Sequence, residues 1–425
     1  MTTAVQKVDE CLKKFEEKAR LRAIIEVNPL ARAIAAELDA SDDKSGALHG
    51  VPVLIKDNVN TIEMHTTAGS VALAANAPGI DAPAVANLRA AGAIIIGKAN
   101  MTEFANYMCD FRLDESMPNG YSSRGGQTLH PTHDDADPLG SSTGSAVAVA
   151  AGLVPMAVGS ETYGSIISPA QHCGIVGIKP TDGLISKEGV IPISFTLDTL
   201  GPMAKTVENA ALLLGALAGR QYEMTHNPAE IRVGICQMDG ENAEFEAALR
   251  ANFVAIDLPD PNFPEFTPGD DLFLFPIMEY EFQHAINGYL AAIDNPNVPR
   301  NLKEIIEFNR NNPEIALKYG QGNLIAASKI SKNWENEREY VAALAKREAT
   351  IDGLNDYFDA HNIDVLAILS GDCGLAAATG FPSLTLPIGK TAEGLPIGCL
   401  LMARPYAEDV LLSAAKAIEK LETRN

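Results

Sequence analysis

The stretch from Gly140 to Thr181 constrains this chain's fold more than any other, because it is so rich in Gly, Ser, Ala and Val. Two Gly/Ser loops bracket it internally: Gly140-Ser141-Ser142-Thr143-Gly144-Ser145 and Gly159-Ser160-Glu161-Thr162-Tyr163-Gly164-Ser165-Ile166. Between them, residues 145–152 (SAVAVAAG) read as a small-residue helix packed closely against a neighbour, and Pro155 to Val158 reads as a short strand.

The same alternation recurs along the chain. Val51-Pro52-Val53-Leu54-Ile55 is a short apolar run that reads as a buried strand and delivers Lys56-Asp57-Asn58 at its end. Residues 82–91 suit a helix, Gly92 stops it, and Ala93–Ile96 follows as a strand. Helix, glycine and strand in this order argue for an α/β layered fold. Further strands are expected at 175–178, 233–236, 272–275, 364–369, 383–387 and 397–402. Residues 5–38 read as helical with a break near Asn28-Pro29, and 206–218 as a helix capped by Thr206. Residues 407–422 close the chain as an amphipathic helix, and 220–360 is more charged and mostly helical. Residues 110–140, rich in Gly, Pro, Ser and Asp and without period, form a long loop of the kind usually kept for function. With no internal repeat or low-complexity linker, residues 1–425 are read as a single domain, 220–360 being its variable part.

Composition narrows the function classes. A net charge of −22 repels phosphate backbones, so no nucleic-acid partner is expected. The densest basic run, from Lys13 to Arg22, is interleaved with Glu16 and Glu17 and reads as a solvated helix face. The cysteines at 11, 109, 173, 236, 373 and 399 form no CxxC pair and no zinc-type cluster, so buried free thiols in a reducing compartment are the simplest account. The polar N-terminus is not a signal peptide, and no uncharged apolar run reaches the roughly 18 residues of a membrane span. A cytoplasmic location follows as a default.

Chemistry is concentrated at Lys56 and in the two Gly/Ser loops. Each alone is ordinary, since such loops serve as turns and a buried lysine often pairs with a carboxylate such as Asp57 or snorkels to solvent. Together with LHGVPVLIKDNV (48–59), AGAIIIGKANMTEF (91–104), GVIPISFTLDTLGPMAKTVENAALLL (189–214) and GFPSLTLPIGKTAEGLPIG (380–398), the segment 140–181 resembles the amidase signature family. SETxGSI and SSRGGQT (122–128) resemble its peptide-amidase branch. The resemblance implies an α/β/α sandwich around a large mixed sheet flanked by helices. It implies Ser165 as nucleophile, Ser141 as proton relay beside a cis peptide bond, and Lys56 as base. It places an oxyanion hole at the backbone N–H groups of Thr162, Tyr163, Gly164 and Ser165. The implied reaction is hydrolysis of a small-molecule or peptide amide to an acid and ammonia or an amine through an acyl-enzyme, with no metal and no cofactor. Candidate pocket residues are Met108, Tyr121, Ser122, Ser123, Gln127 and Tyr163.

The chemistry stands apart from the resemblance. A serine hydroxyl needs a base, and a lysine can serve only when desolvation holds it neutral. Three positions depart from the family pattern: Tyr163 for a glycine, Glu161 for an aspartate, and Ile167 for an arginine. Rival readings exist. Gly140–Gly144 also fits G-x-S-x-G with Ser142 as a hydrolase nucleophile, although a turn-rich loop precedes it rather than a strand. His172 is a candidate base, or a structural side chain. A partner-dependent amidotransferase-type subunit, or a binding module without turnover, would share the fold.

Overall fold

The computed structural model describes residues 2–113, 115–236, 243–261, 273–368 and 373–422. Among these, eleven strands form one mixed sheet. In spatial order they are β1 (Ile24–Val27), β3 (Ile94–Ala99), β2 (Pro52–Lys56), β6 (Met156–Glu161), β8 (Thr199–Ala204), β7 (Val176–Lys179), β12 (Ser383–Lys390), β13 (Pro396–Ala403), β11 (Val365–Ile368), β9 (Arg232–Cys236) and β10 (Val254–Asp257). A separate two-stranded ribbon, β4 (Tyr121–Ser122) with β5 (Gly126–Gln127), lies inside the long loop.

Strands β3, β2 and β6 run parallel, and β8 returns antiparallel beside β6. Both β2 and β3 are buried along their whole length, which is why they read as unbroken apolar runs rather than alternating ones. Successive side chains serve opposite faces. Val53 and Ile55 join a core that holds Val207–Ala218 and the closing helix Glu408–Glu422, whereas Leu54 joins one beneath Ala4–Glu17 and Thr143–Ala150. A third core packs the helices Leu274–Ala291 and Arg338–His361 against Leu366, Leu400 and Met402 of the sheet. The result is the expected α/β class, a large mixed sheet between helical layers.

Local expectations met their limits where tertiary pairing overrode pattern. The region 5–38 is two helices, Ala4–Glu17 and Ala31–Ala40, separated by the strand β1. Ile24, Glu26 and Val27 there pair antiparallel with β3, with an irregularity at Ile25, and close one sheet edge. Residues 274 and 275, expected in a strand, begin the helix Leu274–Ala291, and Leu272 and Leu369 lie outside the described residues. Thr206 caps its helix as expected, accepting from the Asn209 amide. No described helix is long and apolar enough to cross a membrane.

Candidate active site

Parallel strands deliver their C-terminal residues to one edge, where sites of α/β proteins form. Here β2 ends in Lys56 and its neighbour β6 ends in Ser160-Glu161. The loop entering the small-residue helix brings Ser141 and Ser142 over the same edge, across a cis Gly140–Ser141 peptide bond. The turn leaving β6 carries Tyr163, Gly164 and Ser165. Gly164 sits at φ +70°, which disfavours any side chain, and a Cβ there would press on the movable Cys373 Sγ at 2.8 Å and Ser168 Oγ at 2.9 Å.

Lys56 is wholly buried. Its Nζ lies within hydrogen-bond distance of three oxygens, Ser141 Oγ at 2.8 Å, Ser142 Oγ at 2.8 Å and the Ser160 carbonyl at 3.0 Å. Burial draws its pKa down to about 7, against the opposing charges of Glu161 and Asp198. Asp57 does not pair with it: that carboxylate is taken by the Thr67 hydroxyl and the Gly69 amide, with Arg124 at 3.6 Å.

Ser142 is fully engaged. Its Oγ accepts from Lys56 and from the Ser160 amide at 3.2 Å, and donates to the Ser160 carbonyl at 3.0 Å. Its proton is committed to main chain. Ser141, bonded to Lys56, has no such commitment among the described residues. The Ser142 amide donates to the Ser165 carbonyl at 3.1 Å, tying the two loops together. The Ser165 side chain has no hydrogen-bond partner among the described residues and lines an open cavity of about 360 Å³.

Glu161 organises the turn. Its Oε2 accepts from the Ile166 amide at 2.7 Å and the Ile167 amide at 3.0 Å, and the Gly164 amide also faces this carboxylate. Burial pushes the Glu161 carboxyl up and these amides pull it back. Asp198 links the turn to the far wall. Its Oδ1 accepts from Thr162 Oγ1 at 2.6 Å, and its Oδ2 from the Ile193 and Ser194 amides at 2.9 and 3.1 Å. Burial raises its pKa to about 6. Behind that wall, buried Glu281 gathers the Ser194 and Thr196 hydroxyls, the Thr196 amide and Tyr340 OH, fixing the 193–198 segment to two helices.

Lys56, Ser141, Thr162, Tyr163, Gly164 and Ser165 are thus brought to one edge. Of the candidate pocket residues, Tyr163 lines the cavity with Ser165. The other five lie elsewhere. Met108 is buried in the core beneath the helices. Tyr121 packs edge-on against Tyr319. Ser122 donates to Asn100, Ser123 Oγ accepts from the Val71 amide, and Gln127 donates to the Asn119 carbonyl. The long loop still contributes to the cavity, through Glu115, Ser116 and Met117. Asp198, Glu281 and the wall residues Ile193, Phe275 and Met278 were not singled out by sequence. Asp198 had a usable signal, the one charged residue between Gly189 and Ala204; Ile193, Phe275 and Met278 look like ordinary core and Glu281 like a surface acid.

The family model described as Amidase matches residues 6–370. A probable amidase of Arabidopsis thaliana is 33% identical over 94% of this chain and 83% of its own length. One component of the glutamyl-tRNA(Gln) amidotransferase of Roseiflexus castenholzii is 31% identical over 96% of this chain and 89% of its own length. The X-ray structure of native peptide amidase from Stenotrophomonas maltophilia aligns with a TM-score of 0.89 at 33% identity, covering 99% of this chain and 94% of that one.

Proposed function

Because the chain belongs to the amidase family and is a hydrolase of carbon–nitrogen bonds, we propose that it cleaves a carboxylic amide through an acyl-enzyme on Ser165. The observation that carries this is the fully buried Lys56 amine, 2.8 Å from the Ser141 hydroxyl. With its pKa near 7, that amine is substantially neutral at neutral pH and holds a lone pair. Ser141 then gives its proton to Lys56 as it takes one from Ser165, and Ser165 Oγ attacks the amide carbonyl. The Ser141–Ser165 contact closes when a substrate is seated; such bonds are often long in empty sites. The proton returns through Ser141 to the leaving nitrogen, and water releases the acid by the reverse relay.

The oxyanion is received by main-chain N–H groups of Thr162 to Ser165. Those of Thr162 and Ser165 have no protein acceptor among the described residues, which favours them as donors. One such donor contributes about 3 kcal/mol to the transition state. Ser142 is the weaker nucleophile candidate, because its proton is held by the Ser160 carbonyl.

The test is ammonia release across an amide panel, with fluorophosphonate labelling mapped by peptide mass. We expect label on Ser165, and Ser165→Ala to lose both label and turnover, the latter by about 10⁴-fold or more. Label on Ser142, or on a cysteine, would overturn the assignment.

A further inference from the structure

The cavity before Ser165 is lined by apolar Met117, Ile193, Phe275 and Met278. It also holds Glu115, the one lining residue among those described with a formally charged side chain. Burial pushes the neighbouring Cys109 thiol up to about 12 and the Tyr107 phenol higher still, so both are neutral.

Glu115 is held rather than loose. Its Oε2 accepts from the Gly322 amide at 2.7 Å and the Asp110 amide at 3.0 Å, two anchors from distant chain segments. Its Oε1 has no hydrogen-bond partner among the described residues and lies beside Gly320, where a Cβ would come within 2.3 Å of it; the side chain as a whole is half-buried. The cations nearest in the chain are engaged elsewhere. Arg112 lies on Asp110 at 2.8 Å and Glu279 at 3.3 Å. Lys318 lies over the rings of Tyr121 and Tyr319, 5.1 and 4.9 Å from their centroids. A fixed carboxylate with an unpaired oxygen, in a cavity otherwise uncharged among the described residues, accepts ammonium and repels carboxylate.

We propose that the enzyme selects carboxamides bearing a protonated amine, with Glu115 Oε1 receiving the ammonium and the Met117–Phe275 wall receiving the hydrocarbon between it and the scissile amide. The inference rests on the amide-hydrolase reading and adds the charge class of its substrate. Amides of short peptides and amino acids with a free amino group fit this class; amides whose far end is a carboxylate do not.

The test is a ladder of ω-aminoalkanamides of increasing length, each compared with the alkanamide and the ω-carboxyalkanamide of matched length. At the length that spans the cavity we expect kcat/KM for the ammonium member to exceed that of the alkyl member by about tenfold or more, with the carboxylate member below both. In Glu115→Gln that ratio should fall several-fold. On the unmodified enzyme, raising salt from about 20 mM to about 500 mM should narrow it too, because screening weakens the pairing; this arm does not depend on the variant folding. Alkyl amides turned over with no ammonium advantage at any length, an advantage untouched by Glu115→Gln, or one indifferent to salt would overturn the inference while leaving amide hydrolysis standing. Turnover of no member would remove the hydrolase reading and the inference with it.

Discussion

At the residue scale, the lysine at the end of β2 carries most of the chemical content. Its three partners are all oxygens, and its own burial is complete. As the base it must be neutral, so kcat/KM should fall as pH drops through about 7, approaching tenfold per unit below that point. Stability follows the same group with a definite sign. The folded pKa lies below the value of 10.5 for a free lysine, so between about 7 and 10.5 the unfolded chain binds the extra proton, and this site's contribution to stability rises with pH. Lys56→Met should therefore abolish turnover, yet compare best with the parent in melting temperature at pH 6 and progressively worse towards pH 9. Full turnover by Lys56→Met would end the base assignment; a stability gap that does not change with pH would mean the buried amine keeps its proton. Lys56, Ser141 and Ser165 were picked out only because the segments that hold them resemble those of the amidase signature family. The cavity wall was not, because Glu115, Ile193, Phe275 and Met278 meet only in three dimensions and none is unusual among its sequence neighbours.

At the element scale, strand β8 shows what pattern alone misses. Thr199–Ala204 reads TLGPMA, and a Gly-Pro pair is ordinarily a turn signal, with proline rare inside a sheet. Yet β8 lies between β6 and β7 near the middle of the sheet. Its pairing with β7 stops at Met203, one residue before Pro202, which has no N–H to give. Gly201 then lets β7 come close: a Cβ there would sit 2.0 Å from the Ile178 carbonyl oxygen, with Ile166 Cδ1 at 3.0 Å. The obstacle is main chain, so no rotamer change relieves it. We expect Gly201→Ala to destabilise the protein by at least about 3 kcal/mol, seen as a lowered urea midpoint or loss of soluble protein. A parental midpoint would show that β7 and β8 are not so closely apposed. Contiguous apolar strands such as β2 and β3 were legible because both faces are buried; β1, β8 and β10 were not, because their identity comes from the strand alongside.

At the scale of the whole molecule, the question is whether the charged, mostly helical part between 220 and 360 is a separate unit. Its helices bury Ile277, Phe282, Leu354 and Phe358 in the same core as Leu366, Leu400 and Met402 of the sheet. Phe275 and Met278 from that part line the same cavity as Ser165. Strands β9 and β10 from it extend the sheet beyond β11. Separating the two would expose the sheet face and dismantle the cavity together, so we expect a single cooperative unfolding transition. The chain holds one tryptophan, Trp334, which stacks on His284 and meets Tyr340 edge-on within the helical part. It also packs on Phe195 of the 193–198 segment, ring centroids 5.6 Å apart, so its fluorescence reports the helical part and its seat on that segment, while far-UV circular dichroism reports every layer. In a urea titration the two signals and amide turnover should share one midpoint. A tryptophan transition at lower urea, with the remaining dichroism intact, would show instead that the helices fold and fail apart from the sheet, and that the cavity wall belongs to the weaker of two units.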